Sequence, residues 1–203
     1  MNYNLLNDLQ NHMLNEDFIE NSILKDTIIE NMFSENFEFV NCTLENIVFI
    51  NCDLEKISFI NCTISKCDFS NNNLSSATFK KSTITNTRLM GTNLNRSYFE
   101  DIYFDTCDMR NIYFDETIFL NTSIKDSNLK DSIFTNSKIK SIDLNNNILV
   151  NSNFSKTKLK GIDLSKSSID GIILYVEDLK GSIMLPSQAI EFIKLLGIKI
   201  KDI

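Results

Sequence analysis

A single histidine, His12, and only five glycines leave this chain short of the usual material of catalysis. No Ser-His-Asp set can be assembled around one histidine, and neither GxxxxGK[ST] nor GxGxxG occurs, so nucleophilic hydrolysis and phosphate-loop chemistry have no motif to rest on. His12 reads as a surface or cap residue, and neither a cofactor nor enzymatic activity is expected. No apolar run approaches about 18 residues, and no basic stretch precedes an apolar core at the N-terminus, so neither a membrane span nor an export signal is expected. The expected location is the cytoplasm. Cys42, Cys52, Cys62, Cys67 and Cys107 are odd in number and form no CxxC pair, which reads as reduced thiols rather than disulfides or a metal site. Lys and Arg number 20 against 27 Asp and Glu, a net charge of -7 with a pI near 4.8. That balance disfavours direct binding to nucleic acid and suits a partner that is itself basic.

What the sequence does contain is a period of five. From Ile19 to Leu174 every fifth residue is apolar, through Phe39, Leu44, Phe49, Leu54, Phe59 and onward, and only Ser34 breaks the series. Neither a helix of period 3.6 nor a strand of period 2 repeats in this way, so the pattern marks a repeat architecture. A second rule holds two residues before each centre, where small or apolar residues recur, among them Ser22, Cys42, Ile57, Ala77, Thr92 and Ser132. If both slots point inward, as alternation along an extended backbone requires, each pentapeptide is one short edge that bends before the next. The cysteines fall in these slots, which accounts for them as small core side chains.

The blocks CDLEK (52–56), CDFSN (67–71), TNLNR (92–96), SNLKD (127–131), SNFSK (152–156) and IDLSK (162–166) resemble the A(D/N)LXX unit of pentapeptide-repeat proteins. That resemblance implies an all-β fold, a right-handed quadrilateral β-helix in which four pentapeptides close one square coil and residues 20 apart are stacked. Period 20 also organises the sequence itself. Phe39, Phe59, Phe79, Phe99 and Phe119 form one column. Asn31, Asn51, Asn71, Gly91 and Asn111 form another, where residues that tolerate left-handed backbone mark a corner and stacked amides can bond coil to coil.

The chain reads as a single solenoid domain over 1–203. Residues 1–16 are an N-terminal cap, which Leu5, Leu6, Leu9, Met13 and Leu14 allow as either helix or first coil. Residues 17–176 form the β-helix of about eight coils, a rod on the order of 38 Å at about 4.8 Å per coil. Residues 177–203 are a C-terminal α-helical cap, with Pro186 in a first helical turn, Ala189, Ile190, Ile193 and Leu196 at helical spacing, and Ile198 to Lys201 alternating as a last strand. Apolar surface to spare in that segment predicts a two-fold homodimer through Pro186, Ile190, Phe192, Ile193, Leu196, Ile198 and Ile200.

Charge is segmental. Residues 16–78 carry eleven acids against three lysines, 79–97 are basic, 98–116 carry six acids against Arg110, and 117–176 are basic again, with Lys138, Lys140, Lys158 and Lys160 prominent. In 98–116, three tyrosines accompany the acids and precede apolar centres. Tyr98, Glu100, Asp101, Tyr103, Asp105, Asp108, Tyr113, Asp115 and Glu116 are therefore the candidate partner-binding surface. Ion pairs across coils, Lys80 with Glu100 and Arg96 with Glu116, are expected to contribute about 0–1 kcal/mol each.

The tail IDGIILYVEDLKG (169–181) and SQAIEFIKLLGIKIK (187–201) is similar to the endings of Gram-positive members of the Qnr group. That resemblance implies a dimeric DNA mimic whose partner is a type II topoisomerase, DNA gyrase or topoisomerase IV, and which protects it from quinolones. The unbroken register from 39 to 174 leaves no room for the two loop insertions of the loop-bearing members, which makes drug protection less secure than binding. The competing reading is a non-catalytic structural or adaptor rod that binds some other protein, as the fold alone permits.

Overall fold

The computed structural model of the protein describes residues 2, 3, 13, 17–193, 198 and 199. Its backbone is a right-handed quadrilateral β-helix with a short C-terminal helix. The strands are β1 (Asn2–Tyr3), β2 (Phe18–Glu20), β3 (Ile23–Glu30), β4 (Glu38–Val40), β5 (Thr43–Ile50), β6 (Ser58–Ile60), β7 (Thr63–Ser65), β8 (Thr78–Lys80), β9 (Thr83–Thr85), β10 (Tyr98–Asp105), β11 (Ile118–Lys125), β12 (Lys138–Ile139) and β13 (Ile142–Asp143). All pair in parallel, and from β2 onward each residue meets the one 20 further on, as in Phe39↔Phe59↔Phe79↔Phe99↔Phe119. Where no strand forms, single bridges continue the same register, in one column from Phe33 through Asp53, Asn73, Asn93, Tyr113, Ile133 and Asn153 to Ile173. Register 20 is thus kept without a loop insertion.

Four faces result. The first is centred on Phe39 to Phe119, the second on Leu44, Ile64, Ile84, Phe104 and Ile124, the third on Phe49, Phe69, Leu89, Met109 and Leu129, and the fourth on Leu54, Leu74, Leu94, Phe114 and Phe134. All of these centres are buried. The chain turns between faces at a left-handed residue, and positive φ recurs at every fifth position from Asn21 to Asn136. The corners are therefore more frequent than the Asn and Gly columns of period 20 predict. Lys56, Lys66, Ser76, Lys81, Arg96, Thr106, Glu116 and Lys156 also adopt φ between 49° and 63°. A left-handed residue with a Cβ costs about 1–2 kcal/mol, and backbone bonds to the neighbouring coils hold these residues there. Lys81 N, for example, donates to Glu100 O at 2.9 Å. At Gly91 the requirement is stricter, since a Cβ would lie 2.3 Å from Asn71 Oδ1.

Stacking completes the interior. Consecutive rings of the first face lie 4.9–5.3 Å apart at interplanar angles of 4–21°. On the fourth face Phe134 stacks on Phe154 at 4.5 Å. The slots two residues before the centres are inward as expected, and most of their polar members are satisfied by carbonyls, whereas the buried Thr122 Oγ1 has no hydrogen-bond partner among the described residues. Ser82 Oγ donates to Lys80 O (2.8 Å) and Phe59 O (3.3 Å), and Cys62 Sγ donates to Ile60 O (3.4 Å) and Phe39 O (3.3 Å). All five cysteines are free and buried. Burial pushes the Cys67 and Cys107 thiols up to about 11, which keeps them protonated and unreactive at neutral pH. Asn amides bond coil to coil at the corners, Asn61 Nδ2 to Asn41 Oδ1 and Asn51 Nδ2 to Asn31 Oδ1, both at 2.7 Å.

The ends are closed differently. Met13 is buried in the core, and its carbonyl accepts a hydrogen bond from Ser34 Oγ at the level where Ser34 interrupts the apolar register. The remainder of the proposed cap, including Leu5, Leu6, Leu9, His12 and Leu14, lies outside the described residues. At the other end α1 (Pro186–Ile193) lies over the last coil. Gln188, three residues into the helix, accepts the Leu185 N–H at 2.8 Å. Its amide also donates to Leu164 O (3.0 Å) and Ser167 O (2.9 Å), so one side chain caps the helix and covers two carbonyls of the coil edge. Gln188→Ala is expected to destabilise the C-terminal end by about 1–2 kcal/mol, read as a lower urea midpoint with the same slope.

Asp178 sits in a 3-10 turn, Val176–Asp178, with its side chain 1% exposed. It accepts the Lys156 N–H at 2.8 Å and pairs with Lys158 Nζ at 3.0 Å. Ile198 and Lys199 belong to no strand, because alternation alone supplies no ladder partner. Ile200 and Lys201 lie outside the described residues.

Candidate partner-binding surface

The stretch from Tyr98 to Glu116 is close to one full circuit of the rod, so its side chains form a belt rather than a single patch. Tyr98, Glu100 and Asp101 lie on and beside the first face, and Tyr103 and Asp105 on the second, all of them, the corner Asp101 included, within the continuous strand β10. Asp108 lies on the third face, with Arg110 beside it. Tyr113, Asp115 and the corner residue Glu116 belong to the fourth face. Tyr103 and Tyr113 are exposed, and Tyr98 is partly covered. Lys80 Nζ lies 5.4 Å from the Tyr98 ring centroid and Lys125 Nζ 5.9 Å from that of Tyr103, so two of the three rings are engaged by cations of adjacent coils. Partial burial, reinforced by the Glu100 carboxylate, raises the Tyr98 phenol above its ordinary value and keeps it a neutral donor.

The six carboxylates are not equivalent. Glu100 pairs with Lys80 at 3.7 Å, as the spacing predicts. Asp108 is gripped by Arg110 through Nε (2.8 Å) and Nη2 (2.6 Å), and this fork holds its carboxyl below the usual range. Asp101 accepts Asn121 Nδ2 at 2.5 Å, and Asp115 accepts Thr135 Oγ1 and Asn136 Nδ2. Asp105 and Glu116 have no such partner among the described residues, and the expected pair between Arg96 and Glu116 is not formed. Of the belt, these two carboxylates are the ones presented without internal compensation.

Acidic surface extends toward the N-terminus, where Glu45 is bracketed by Lys25 (2.6 Å) and Lys66 (3.3 Å) and its carboxyl is lowered by both. Above the belt, the first face turns basic at Lys138, Lys140, Lys158, Lys160 and Lys180, all exposed.

The residues expected to form a dimer interface divide. Pro186, Ile190 and Ile198 are exposed, Ile190 and Ile198 at 45% and 53%, and Ile193 is partly buried. Phe192 is 8% exposed and belongs to the core, because helical spacing from Gln188 turns both side chains onto the last coil, so it serves the cap rather than an outer face. Leu196 and Ile200 lie outside the described residues. The sequence reading missed Ile173, Tyr175, Ile183 and Leu185, which add exposed apolar surface beside α1. Among the described residues no three His, Cys, Asp or Glu side chains are grouped to hold a metal ion, and no helix is long and apolar enough to cross a membrane.

Comparison with known families and structures gives a consistent picture. The family description "Pentapeptide repeat region" matches residues 97–174, and "Pentapeptide repeats (8 copies)" matches 38–75, 58–96 and 73–111. Together they span about two thirds of the chain. No curated protein matches the sequence. Among solved structures, a trypsin-treated form of QnrB1, a plasmid-mediated fluoroquinolone resistance protein, is similar at TM-score 0.54 and 18% identity, covering 86% of this chain and 99% of that one. A second trypsin-treated form is similar at TM-score 0.50 and 15% identity, covering 91% and 90%. HetL, a pentapeptide-repeat protein involved in heterocyst differentiation regulation from the cyanobacterium Nostoc sp. strain PCC 7120, matches at TM-score 0.31 and 12% identity, covering 90% and 97%.

Proposed function

The chain belongs to the pentapeptide-repeat family, and from that premise we propose that it is a DNA mimic that binds the DNA-binding surface of a type II topoisomerase, DNA gyrase or topoisomerase IV. The observation that carries this reading is the belt, in which carboxylates and tyrosines face outward around a stiff rod whose levels are held in fixed register. Regularly spaced carboxylates on such a rod stand in for phosphates, steer approach to a basic saddle and release its counterions. The likeness of the fold to a fluoroquinolone resistance protein supports protection from quinolones as the consequence of binding. The exposed apolar residues around α1 support a two-fold dimer that would double the length of the mimic.

One observation favours the second reading, an adaptor rod for another protein: four of the six belt carboxylates are already engaged within the chain, which leaves a sparser charge lattice than a continuous mimic would carry. A gyrase supercoiling assay with and without a quinolone separates the two. The mimic shifts supercoiling or drug inhibition at micromolar protein and binds gyrase at low salt. No effect in either assay, together with no binding, leaves the adaptor.

A further inference from the structure

The coil-to-coil ladder is continuous on all four faces except at one level. Among the described residues, no backbone hydrogen bond or bridge joins 138–146 to 158–165, the first and second faces between two successive coils. On the third and fourth faces the same two coils are fully laddered. Leu149 N donates to Ser168 O at 2.7 Å, Ser168 N to Asn147 O at 3.0 Å, Phe154 N to Ile173 O at 2.7 Å and Ile173 N to Ser152 O at 2.9 Å. Elsewhere on the first face such bonds are regular, as in Ser58 N to Phe37 O at 2.9 Å. Strands β12 and β13 accordingly pair only with β11, and each leaves one edge open inside the rod.

The residues at this level account for the gap. Lys138 and Lys158, and Lys140 and Lys160, occupy equivalent slots one coil apart, so two pairs of like charges oppose here, whereas the coil beyond sets Asp178 opposite Lys158 and one like pair, Lys160 with Lys180, and keeps its ladder through Leu159 N to Asp178 O and Gly161 N to Gly181 O. Of the four, Lys158 alone has an acidic partner among the described residues, and Asp178 draws it toward the coil beyond the gap. In the inward column that holds Cys42, Cys62 and Ser82, this level stacks Ile142 against Ile162, bulkier and without a hydroxyl to bond across coils. Two further signs accompany the gap. Ser141 lacks the positive φ of the other corners up to that point, and Ile139 and Ile142 are only partly buried while Phe119 and Leu159 are fully so.

We propose that the solenoid is hinged here. The laddered third and fourth faces are the pin, and the first and second faces open and close between 138–146 and 158–165. Residues 157–193, with α1, then tilt as one body relative to the acidic belt, and the lysine-bearing face widens as the seam opens. This inference rests on the backbone ladder and does not depend on the topoisomerase reading.

The test is NMR on the full chain. Amides of Lys158, Lys160 and Asp163 are expected to exchange with solvent at least about 100-fold faster than those of Ser168 and Ile173 in the same coil. Residues 139–145 and 158–165 are expected to share one exchange process on the microsecond-to-millisecond scale in relaxation dispersion, absent from 148–153. Lys160→Glu places a carboxylate opposite Lys140 and is expected to slow the fast amides several-fold. Equal protection on all four faces, or fast amides without a shared dispersion process, would overturn the hinge.

Discussion

Phe99→Ala is expected to lower the stability of the folded chain by about 3–5 kcal/mol, the largest effect of any single truncation considered. The ring is fully buried and stacked between Phe79 at 5.0 Å and Phe119 at 5.3 Å, with edge contacts to Phe104 at 5.8 Å and Phe114 at 5.7 Å. Its removal loses the transfer free energy of a large apolar group and leaves a cavity that the backbone cannot close, because the fixed register holds the coils above and below apart. In a solenoid each coil is buried only by its neighbours, so the loss falls on the two interfaces flanking this level. Denaturant unfolding is expected to show a lower midpoint, with a shallower transition if the two halves uncouple. A change under about 1 kcal/mol would mean that the column is not packed as described.

The second large effect concerns binding rather than stability. The double substitution Asp105→Ser with Glu116→Asn is expected to weaken binding to a type II topoisomerase about tenfold or more at low salt, with the difference shrinking as salt screens the remaining charges. Thermal stability should be unchanged. Neither carboxylate has an internal partner among the described residues, and the new residues already occupy equivalent slots, Ser65 in the column of Asp105 and Asn136 in that of Glu116. Asp115→Asn is a poorer probe, because Asp115 accepts bonds from Thr135 and Asn136 and would confound binding with structure. Unaltered binding by the double variant would move the contact away from the belt.

The period of five, the inward pairs and the Phe39 to Phe119 ladder were legible because they depend only on which slots exclude water, and side-chain type reports that directly. The corners were half legible. Asn and Gly announce a left-handed residue, whereas Lys56, Arg96 and Glu116 are forced into it by the coils on either side, a tertiary effect with no local signature. Gln188 and Asp178 escaped notice for the same reason, since each answers backbone groups that are distant in sequence. The acidic run from Tyr98 to Glu116 is one stretch in linear order and nearly one coil of the repeat. Folding distributes it around the rod, and period 20 contained that information. The open ladder between 138–146 and 158–165 could not be read from the repeat, which continues there without a break.

On the proposed function, the outward carboxylates of this rod take the place of DNA on a topoisomerase. The most direct measurement is displacement of a fluorescently labelled duplex from purified gyrase or topoisomerase IV, followed by anisotropy in a salt series. The protein is expected to release the duplex competitively, with displacement that weakens steeply with salt, and the Asp105→Ser, Glu116→Asn variant is expected to displace less. Protein that binds the enzyme while the duplex stays bound, or that fails to bind at low salt, would contradict the proposed function.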